Sequence, residues 1–312
     1  MAGGQGTRLG HKGPKGTFKI NVKPKAKYLF EIIVETLKKE NEKYQVVMPW
    51  YIMTSNENNE ETVMFLEENN YFGYPKEQVK TFVQGELPIL NKEGKMLLDE
   101  NGLIKKASDG NGSIYTSMAK NGIIQDMKEN GIEWIYISSI DNILLKLVEP
   151  TLLGLTISQG NKTASKTITK SSPEERVGAF CRKNLKPAVI EYTELPEEMS
   201  NLRDENGEFI YGEAHIMCNL FHISAIEKIA EEKLPYHIAV KKITYYEDGK
   251  EIVPDEPNAY KFESFIFDGF SKFENITLLR GKREEDFAPI KNKEGQDSPQ
   301  TAIELYNKVR VE

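Results

Sequence analysis

The chain contains little cysteine, little histidine and no long apolar run, and each scarcity excludes a class of protein. Two cysteines, Cys181 and Cys218, in 312 residues cannot form a disulfide framework or a cysteine-based metal cluster. His11, His222 and His237 show no metal-ligand spacing. No apolar stretch approaches the roughly 18 residues that a membrane helix needs, and the polar, glycine-rich N-terminus is unlike a secretory signal. We therefore expect a cytoplasmic protein with reduced thiols and no membrane partner.

Positive charge is in deficit overall but concentrated near the N-terminus. The net charge is −7, which argues against nucleic acid as a partner. Residues 8–43 are instead positively charged, with ten Lys or Arg against four Glu. A basic stretch in an acidic protein fits a small polyanionic substrate, although Lys38, Lys39 and Lys43 also fit a solvated helix face.

A glycine-rich segment opens the chain. Residues 3–10 read GGQGTRLG, and residues 14–16 read PKG. Glycines without side chains let successive backbone N–H groups converge on an anion, and an Arg and a Lys in the same loop supply charge. The spacing fits neither the Walker loop, because Gly16 follows Lys15, nor the dinucleotide fingerprint, because Leu9 stands where a small residue is needed. The segment predicts a site for an oligophosphate.

Strand and helix patterns alternate through the first half of the chain. The predicted elements there are a helix at 26–40, a strand at 44–48, a helix from 54–56 to about 68, a strand at 79–83, a helix at 114–130 and a strand at 134–138. The later elements are strands at 164–170, 177–182 and 187–192 and helices at 224–232 and 263–271. Such alternation predicts crossover units, hence an α/β fold with a largely parallel sheet and an antiparallel extension after residue 150.

The loop and six later motifs together resemble the signature of the sugar-nucleotide pyrophosphorylases, specifically the UDP-sugar pyrophosphorylases of the UDP-N-acetylhexosamine branch. The later motifs are PWYIMTS at 49–55, DGNG at 109–112, DN at 141–142, EY at 191–192, KK at 241–242 and DSP at 297–299. The resemblance implies a Rossmann-like nucleotidyltransferase fold of the GT-A type in a single domain, 1–312. Residues 1–150 would form its nucleotide-binding half and residues 151–312 its sugar-phosphate-binding half. A loop of this kind normally follows a buried strand, so we also expect that strand, and the N-terminal extension of the family, to lie outside this chain.

The implied activity is transfer of UMP from UTP to a sugar-1-phosphate, giving a UDP-sugar and pyrophosphate. The resemblance implies catalytic roles for Arg8, which would clamp pyrophosphate, and Lys15, which would bridge the phosphates. Asp141 would hold Mg²⁺, although by itself it also fits a helix cap. The implied nucleotide-binding residues are Ala2, Gly3, Gly4, Gln5, Gly6, Thr7, Gln84 and Gly110.

On the sugar side the resemblance assigns contacts to Asn111, Gly178, Glu191 and Asn219, and phosphate contacts to Lys242 and Lys261. Adjacent strand residues face opposite ways, so at most one of Lys241 and Lys242 can face the site. Residues 214–219, AHIMCN, depart from the family's Gly-Asn-Ile-x-Asn, and His215 could replace the first Asn as a donor.

The motif at 109–112 favours N-acetylglucosamine-1-phosphate as substrate, while the departure at 214–219 keeps glucose- and galactose-1-phosphate open. A second reading is a catalytically weak UDP-sugar-binding homologue, and a third is a transferase for another nucleotide, against which Gln84 argues. We expect a monomer.

Overall fold

A computed structural model describes residues 1–310, and residues 1–310 form nine α-helices and seventeen strands, named here in chain order. The helices are α1 Leu29–Tyr44, α2 Asn59–Glu68, α3 Ile114–Lys120, α4 Ile123–Glu129, α5 Pro150–Ser158, α6 Glu197–Ser200, α7 Ile223–Glu231, α8 Arg283–Asp286 and α9 Pro299–Arg310. The strands are β1 Lys19–Ile20, β2 Lys27–Tyr28, β3 Trp50–Thr54, β4 Val79–Val83, β5 Glu86–Pro88, β6 Leu90–Asn91, β7 Lys106–Ser108, β8 Trp134–Ser138, β9 Thr163–Thr169, β10 Ala179–Lys183, β11 Lys186–Ile190, β12 Glu213–His222, β13 His237–Lys241, β14 Tyr245–Glu247, β15 Lys250–Ile252, β16 Ala259–Glu263 and β17 Thr277–Arg280. No helix in this part of the chain is both long and apolar enough to cross a bilayer.

The largest sheet has six strands and mixed directions. Its order is β11-β10-β12-β9-β17, and β8 pairs with the far half of β12. Within this sheet only β9 and β17 run parallel. A separate parallel pair, β3 with β4, comes from the first half of the chain. The fold is therefore mixed α/β, and the largely parallel sheet predicted from the sequence is wrong.

The first two residues join β3 to β8. The Met1 ammonium donates to the Ser138 carbonyl at 2.7 Å, and the Ala2 N–H donates to the Met53 carbonyl at 2.7 Å. The glycine loop that follows therefore begins between the carboxyl ends of β3 and β8. Ligands of open α/β sheets bind at this edge, where strands end.

The main apolar core lies between the six-stranded sheet and helices α3, α4 and α7. Tyr115, Phe221 and Phe270 are fully buried there, with Phe221 and Phe270 stacked at 5.6 Å between ring centroids. A second core packs α1 and α9 beneath the glycine loop around buried Phe30. Residues from both halves of the chain share the main core. The proposed division at residue 150 stays a prediction.

Three predicted elements differ from the structure. Residues 44–48 are not a strand, because α1 continues to Tyr44 and ends in the left-handed Gln45, leaving Val46 and Val47 exposed. The helix predicted at 114–130 is two helices, α3 and α4, separated at Gly122, whose φ is +71°. Residues 263–271 form the end of β16 and a 3₁₀ turn rather than an α-helix. The strands predicted at 79–83 and 134–138 are confirmed with those bounds.

Candidate functional site

The glycine loop is a closed double turn held by its own backbone. Gly6 N–H donates to the Gly13 carbonyl at 3.0 Å, and Lys15 N–H donates to the Gly4 carbonyl at 3.0 Å. A Cβ on Gly16 would lie 2.2 Å from the buried ring of Phe30, so only glycine lets the loop pack this closely on α1. The backbone around Lys15 is therefore fixed by contacts on both sides.

Lys15 and Asp141 meet at the mouth of this loop. The Lys15 Nζ lies 3.1 Å from Asp141 Oδ2, and the two side chains are 11% and 22% exposed. Burial works to raise the pKa of Asp141, but the Lys15 charge, a Ser139 hydrogen bond and Lys291 outweigh it, so the pKa is lowered. Asp141 is therefore ionised at neutral pH, beside a lysine that a bound anion can draw away. The structure brings together two residues that stand 126 positions apart.

Lys291 is a third charged group at this place, and the sequence reasoning missed it. Its charge is close enough to favour the ionised forms of both Asp141 and Glu191. The Ile290 N–H, next to it in the chain, donates to the Asp141 carbonyl at 2.9 Å. Nothing in the local spacing around Lys291 marks a phosphate-binding lysine, so only the tertiary contact reveals it.

Gln84 borders the loop on the side of β4. It follows directly after that strand, and its side chain is buried and hydrogen-bonded to the Ser108 hydroxyl. A Cβ on Gly3 would come within 2.8 Å of Gln84 Oε1, so the missing side chain at Gly3 allows the close approach. The structure thus brings together two of the predicted nucleotide-binding residues.

The turn at 109–112 docks on the backbone after β16. Ser264 N–H donates to the Asp109 carbonyl at 2.8 Å, and Ile266 N–H donates to Asn111 Oδ1 at 2.8 Å. Gly110 has a φ of +90°, and a Cβ there would lie 2.3 Å from the Ser264 carbonyl oxygen. The side-chain oxygen of Asn111 therefore bonds the protein backbone, and the side-chain nitrogen Nδ2 remains the group that could bind a ligand.

Three predicted sugar contacts cluster at the start of β10 and the bulge of β12. His215 N–H donates to the Gly178 carbonyl at 2.9 Å, and Glu191 Oε1 would be 3.4 Å from a Cβ on Gly178. Asn219 is fully buried, and its Oδ1 accepts hydrogen bonds from His215 Nε2 and Ser165 Oγ, both at 2.9 Å. The Asn219 Nδ2 is buried without a protein acceptor. Within residues 1–310 this amide donor is therefore buried and unsatisfied.

Two acidic side chains around this cluster, Glu191 and Asp268, have raised pKa values. Burial, followed by the charge of Glu194, raises the pKa of Glu191. Burial also raises the pKa of Asp268 despite His237, whose Nε2 lies 3.1 Å from Asp268 Oδ2. His237 contacts Glu194 Oε1 through Nδ1 at 2.9 Å. The carboxyls of Glu191 and Asp268 therefore lose their protons less readily than exposed carboxyls do.

The remaining predicted cations lie apart from the Lys15–Asp141 pair. Arg8 is exposed on the 3₁₀ turn Thr7–Leu9. Lys242 is exposed just beyond β13, and Lys261 on β16 is ion-paired with Glu263 at 2.7 Å. Across residues 1–310 none of the three forms a hydrogen bond or ion pair with Lys15 or Asp141. Their assigned phosphate contacts stay predictions.

The protein atoms available to a metal ion are few. Within residues 1–310 no three His, Cys, Asp or Glu side chains come together as a metal site. The amide of Asn142 is occupied, because Nδ2 donates to the Asp286 carbonyl at 2.7 Å and Oδ1 accepts from Ala288 N–H at 2.9 Å. Asp141 is thus a single ionised carboxylate beside a phosphate loop. That set fits a hard divalent cation such as Mg²⁺, whose further ligands would be substrate phosphates and water.

A mixed α/β fold, a glycine loop at a strand edge and the partly buried Lys15–Asp141 pair are typical of the class of α/β proteins that bind phosphate groups where strands end. The chain belongs to the UTP–glucose-1-phosphate uridylyltransferase family, which matches residues 1–297.

Within that family, the chain is similar to proteins named for UDP-N-acetylhexosamine and UDP-N-acetylglucosamine. The chain is 36% identical to human UDP-N-acetylhexosamine pyrophosphorylase-like protein 1, over 97% of this chain and 62% of that protein. It is 37% identical to the UDP-N-acetylglucosamine pyrophosphorylase of Saccharomyces cerevisiae, over 99% of this chain and 67% of that protein. The crystal structure of the Trypanosoma brucei UDP-N-acetylglucosamine pyrophosphorylase superposes with a TM-score of 0.88 at 30% identity, over 98% of this chain and 63% of that chain. The chain spans about three fifths of the length of the first curated relatives it matches.

Proposed function

We propose that the chain is a UTP:sugar-1-phosphate uridylyltransferase, with N-acetylglucosamine-1-phosphate as its favoured acceptor. A phosphate oxygen of the sugar-1-phosphate attacks the α-phosphorus of UTP, and the bond to pyrophosphate breaks. The observation that carries the proposal is the Lys15–Asp141 pair at 3.1 Å beneath the glycine loop. Charge spreads over phosphoryl oxygens in such a transfer, so positioned cations supply most of the catalysis.

In this proposal the glycine loop binds the triphosphate, and Lys15 and Lys291 neutralise phosphate charge. Backbone N–H groups of residues 3–5 face the triphosphate, and Lys15 moves from Asp141 to the reacting phosphates. Lys291, whose charge acts on both Asp141 and Glu191, serves the sugar phosphate, and the exposed Arg8 closes on pyrophosphate. Two anions that repel in water are thereby held together, which lowers the entropic and the electrostatic parts of the barrier.

Asp141 would hold Mg²⁺ once substrate phosphates supply further oxygen ligands. Bound there, the ion would neutralise phosphate charge. The ionised state of Asp141 supports this role, as does the absence within residues 1–310 of a complete protein cage, since Mg²⁺ commonly keeps water and substrate ligands.

The acceptor is supported by the sugar-side cluster and by the relatives. Asn219 Nδ2 lacks a protein acceptor and suits a carbonyl or hydroxyl oxygen. The relatives that match nearly the whole chain are named for UDP-N-acetylhexosamine or UDP-N-acetylglucosamine. Glucose- and galactose-1-phosphate are the alternative acceptors.

The finer fold description and the cellular setting belong to the same proposal. The parallel β3–β4 pair with the loop at its end supports a Rossmann-like, GT-A-type nucleotide half. Two unpaired cysteines support a cytoplasmic location, and a net charge of −7 supports small substrates rather than nucleic acid. A monomer is expected.

The test is pyrophosphate release from UTP, Mg²⁺ and a panel of four acceptors: N-acetylglucosamine-, N-acetylgalactosamine-, glucose- and galactose-1-phosphate. Lys15→Ala should lower turnover by about 10²–10³, the usual loss for one group that stabilises transition-state charge. Lys12→Ala is the matched control, because Lys12 is exposed in the same loop and should leave turnover within about twofold. Chelation of Mg²⁺ should stop release, and retained turnover in Lys15→Ala would contradict the assignment.

A second candidate is a UDP-sugar-binding protein with weak catalysis, favoured by the positions of Arg8, Lys242 and Lys261, which within residues 1–310 form no hydrogen bond or ion pair with Lys15 or Asp141. It predicts UDP-sugar binding by calorimetry without pyrophosphate release for any of the four acceptors.

A further inference from the structure

Asn58 is a fully buried polar residue that contacts the glycine loop from the side of α2. It stands just before that helix, where an asparagine side chain usually accepts a hydrogen bond from the first turn. In the part of the chain that the structure describes, it makes no such bond. Its Nδ2 instead donates to the Ala2 carbonyl at 3.0 Å and lies 3.5 Å from the Gly4 carbonyl oxygen. The side-chain amide is therefore directed at the backbone of the loop.

The position of Asn58 is set by the junction between β3 and α2. Its N–H donates to the Ser55 carbonyl at 3.1 Å, and its carbonyl accepts from the Thr62 N–H at 3.0 Å. Its side-chain Oδ1 accepts from the Ser55 N–H at 2.9 Å, which leaves Nδ2 as the atom that faces the loop. Asn58 thus connects a fixed strand–helix junction to a flexible glycine segment.

The Gly4 carbonyl links Asn58 to Lys15. The same oxygen that faces Asn58 Nδ2 accepts the Lys15 N–H at 3.0 Å. The Lys15 side chain in turn reaches Asp141 at 3.1 Å. One peptide group therefore lies between the α2 junction and the backbone of the lysine that carries the proposed function.

The two carbonyls also determine where the next two N–H groups point. The C=O and N–H of a trans peptide unit point in opposite directions, and the bonds after Ala2 and Gly4 are trans. Because both carbonyls are turned towards Asn58, the N–H groups of Gly3 and Gln5 point away from it. Within residues 1–310 neither N–H donates to a protein acceptor. Both are donors available to an anion.

We propose that Asn58 is a positioning residue for nucleotide binding, which holds these two peptide units so that the Gly3 and Gln5 N–H groups face the phosphates of UTP. The inference rests on the proposed function, because it takes UTP as the ligand of the loop. Glycine peptides adopt many orientations when nothing restrains them. A contact that fixes them before binding removes an entropic cost from the binding step.

The experiment measures the Kd for UTP with Mg²⁺ and the Kd for uridine by calorimetry. Asn58→Asp keeps the side-chain shape and the acceptor for Ser55, but it replaces the amide donor with a carboxylate oxygen that repels both loop carbonyls. The Kd for UTP should rise about tenfold or more, since charge-assisted hydrogen bonds to phosphate are lost. The Kd for uridine, which has no phosphate, should stay within about twofold.

Asn59→Asp is the matched control, because it places the same charge one residue further along α2. Its Oδ1 would still accept the hydrogen bond from Thr54 Oγ1, which is 2.7 Å long in the native chain. Both Kd values should stay within about twofold of the native ones, since a solvated charge is screened. Thermal melts of the unliganded proteins establish that each variant is folded at the temperature of the titration.

An unchanged Kd for UTP in Asn58→Asp would overturn the inference, as would equal losses for UTP and uridine or an equal loss in Asn59→Asp. If Asn58→Asp does not fold, Asn58→Ser replaces it, because serine suits a helix start and keeps one hydroxyl donor. Its Kd for UTP should rise about threefold or more, and an unchanged value would overturn the inference.

The outcome is separable from that of the proposed function. A native chain that binds UTP but releases no pyrophosphate would contradict the transferase, while the binding comparison would still decide the role of Asn58. A native chain that binds no UTP would overturn both.

Discussion

His215 is the residue whose role changes most between the sequence and the fold. Burial lowers its pKa to about 4, so the ring is neutral at pH 7. An amide oxygen only accepts, so Nε2 must carry the proton that bonds Asn219 Oδ1. Together with Ser165 it fixes the Asn219 amide with Nδ2 turned away from the protein's own acceptors. A residue that departs from the family motif thereby orients a group that the motif retains.

Replacement of His215 should therefore weaken sugar binding without touching the nucleotide. His215→Phe keeps an aromatic ring against Phe180 but loses the donor, so the Kd for UDP-N-acetylglucosamine should rise about tenfold, the loss of one buried hydrogen bond. His215→Gln restores a donor and should recover most of the affinity. Calorimetry with UTP is the control, and an equal loss of UTP binding would show a general folding defect instead.

His237 predicts a pH dependence of stability. Burial lowers its pKa, but Glu194 and Asp268 outweigh burial and hold it above the ordinary 6.5. A histidine whose pKa is raised in the folded state contributes its full stabilisation below 6.5, the unfolded-state pKa. It loses that contribution as the pH rises through the folded-state pKa. The Tm should therefore fall more steeply between pH 6 and pH 8.5 in the native chain than in His237→Gln. Equal slopes of Tm against pH in the two proteins, measured by fluorescence melts, would contradict this role of His237.

At the scale of elements, the turn 109–112 is shaped by the segment it docks on. Its glycine at 110 combines a φ of +90° with a carbonyl oxygen 2.3 Å from where a Cβ would stand. A side chain there must displace the backbone after β16 as well as accept an unfavourable φ.

Gly110→Ala should lose about 3 kcal/mol or more of unfolding free energy, since overpacking adds to backbone strain. Gly102→Ala is the matched control, because its φ is +74° but no atom lies within 4 Å of the added Cβ. It should lose only about 1 kcal/mol. Urea unfolding of both variants measures the difference, and equal losses would refute the role of Ser264.

The elements also show where sequence patterns succeed. Val79–Val83 and Trp134–Ser138 are short, strand-forming runs bounded by polar residues, and the structure has them with those bounds. Tyr44, Val46 and Val47 look similar but are exposed, because the strand that pairs with β4 is Trp50–Thr54 instead. Local apolarity identifies a strand only when a neighbouring strand is available to cover it.

At the scale of the molecule, one buried ion network ties separate parts of the chain together. Lys166 on β9 bonds Asp286 at 2.7 Å and Glu149 at 2.9 Å, and Lys166 and Asp286 are 5% and 3% exposed. Burial works to lower the pKa of Lys166, yet the hydrogen bonds and charges of these two carboxylates raise it. The network joins β9, the start of α5 and α8.

Replacing Lys166 alone should lower the free energy of unfolding more than replacing Lys166 and Asp286 together. Lys166→Met leaves the buried Asp286 carboxylate with only the partly exposed Lys146, 3.2 Å away, and should lose up to about 3 kcal/mol of unfolding free energy. The double variant Lys166→Met/Asp286→Asn should recover part of this loss. Exposed Lys162→Met, just before β9, is the control and should change stability by less than about 0.5 kcal/mol. A double variant less stable than Lys166→Met would contradict the network.

The sequence by itself determined the family and the glycine loop, and it marked Lys15, Asp141 and Asn219 as candidate site residues, because motifs and their spacing are local properties of the chain. Only the tertiary structure decided that Lys291 acts on Asp141, that His215 orients Asn219 and that the large sheet has mixed directions. These contacts join residues brought together by the packing of the sheet. Strand direction and long-range proximity depend on which edges pair, and side-chain periodicity carries no record of that choice.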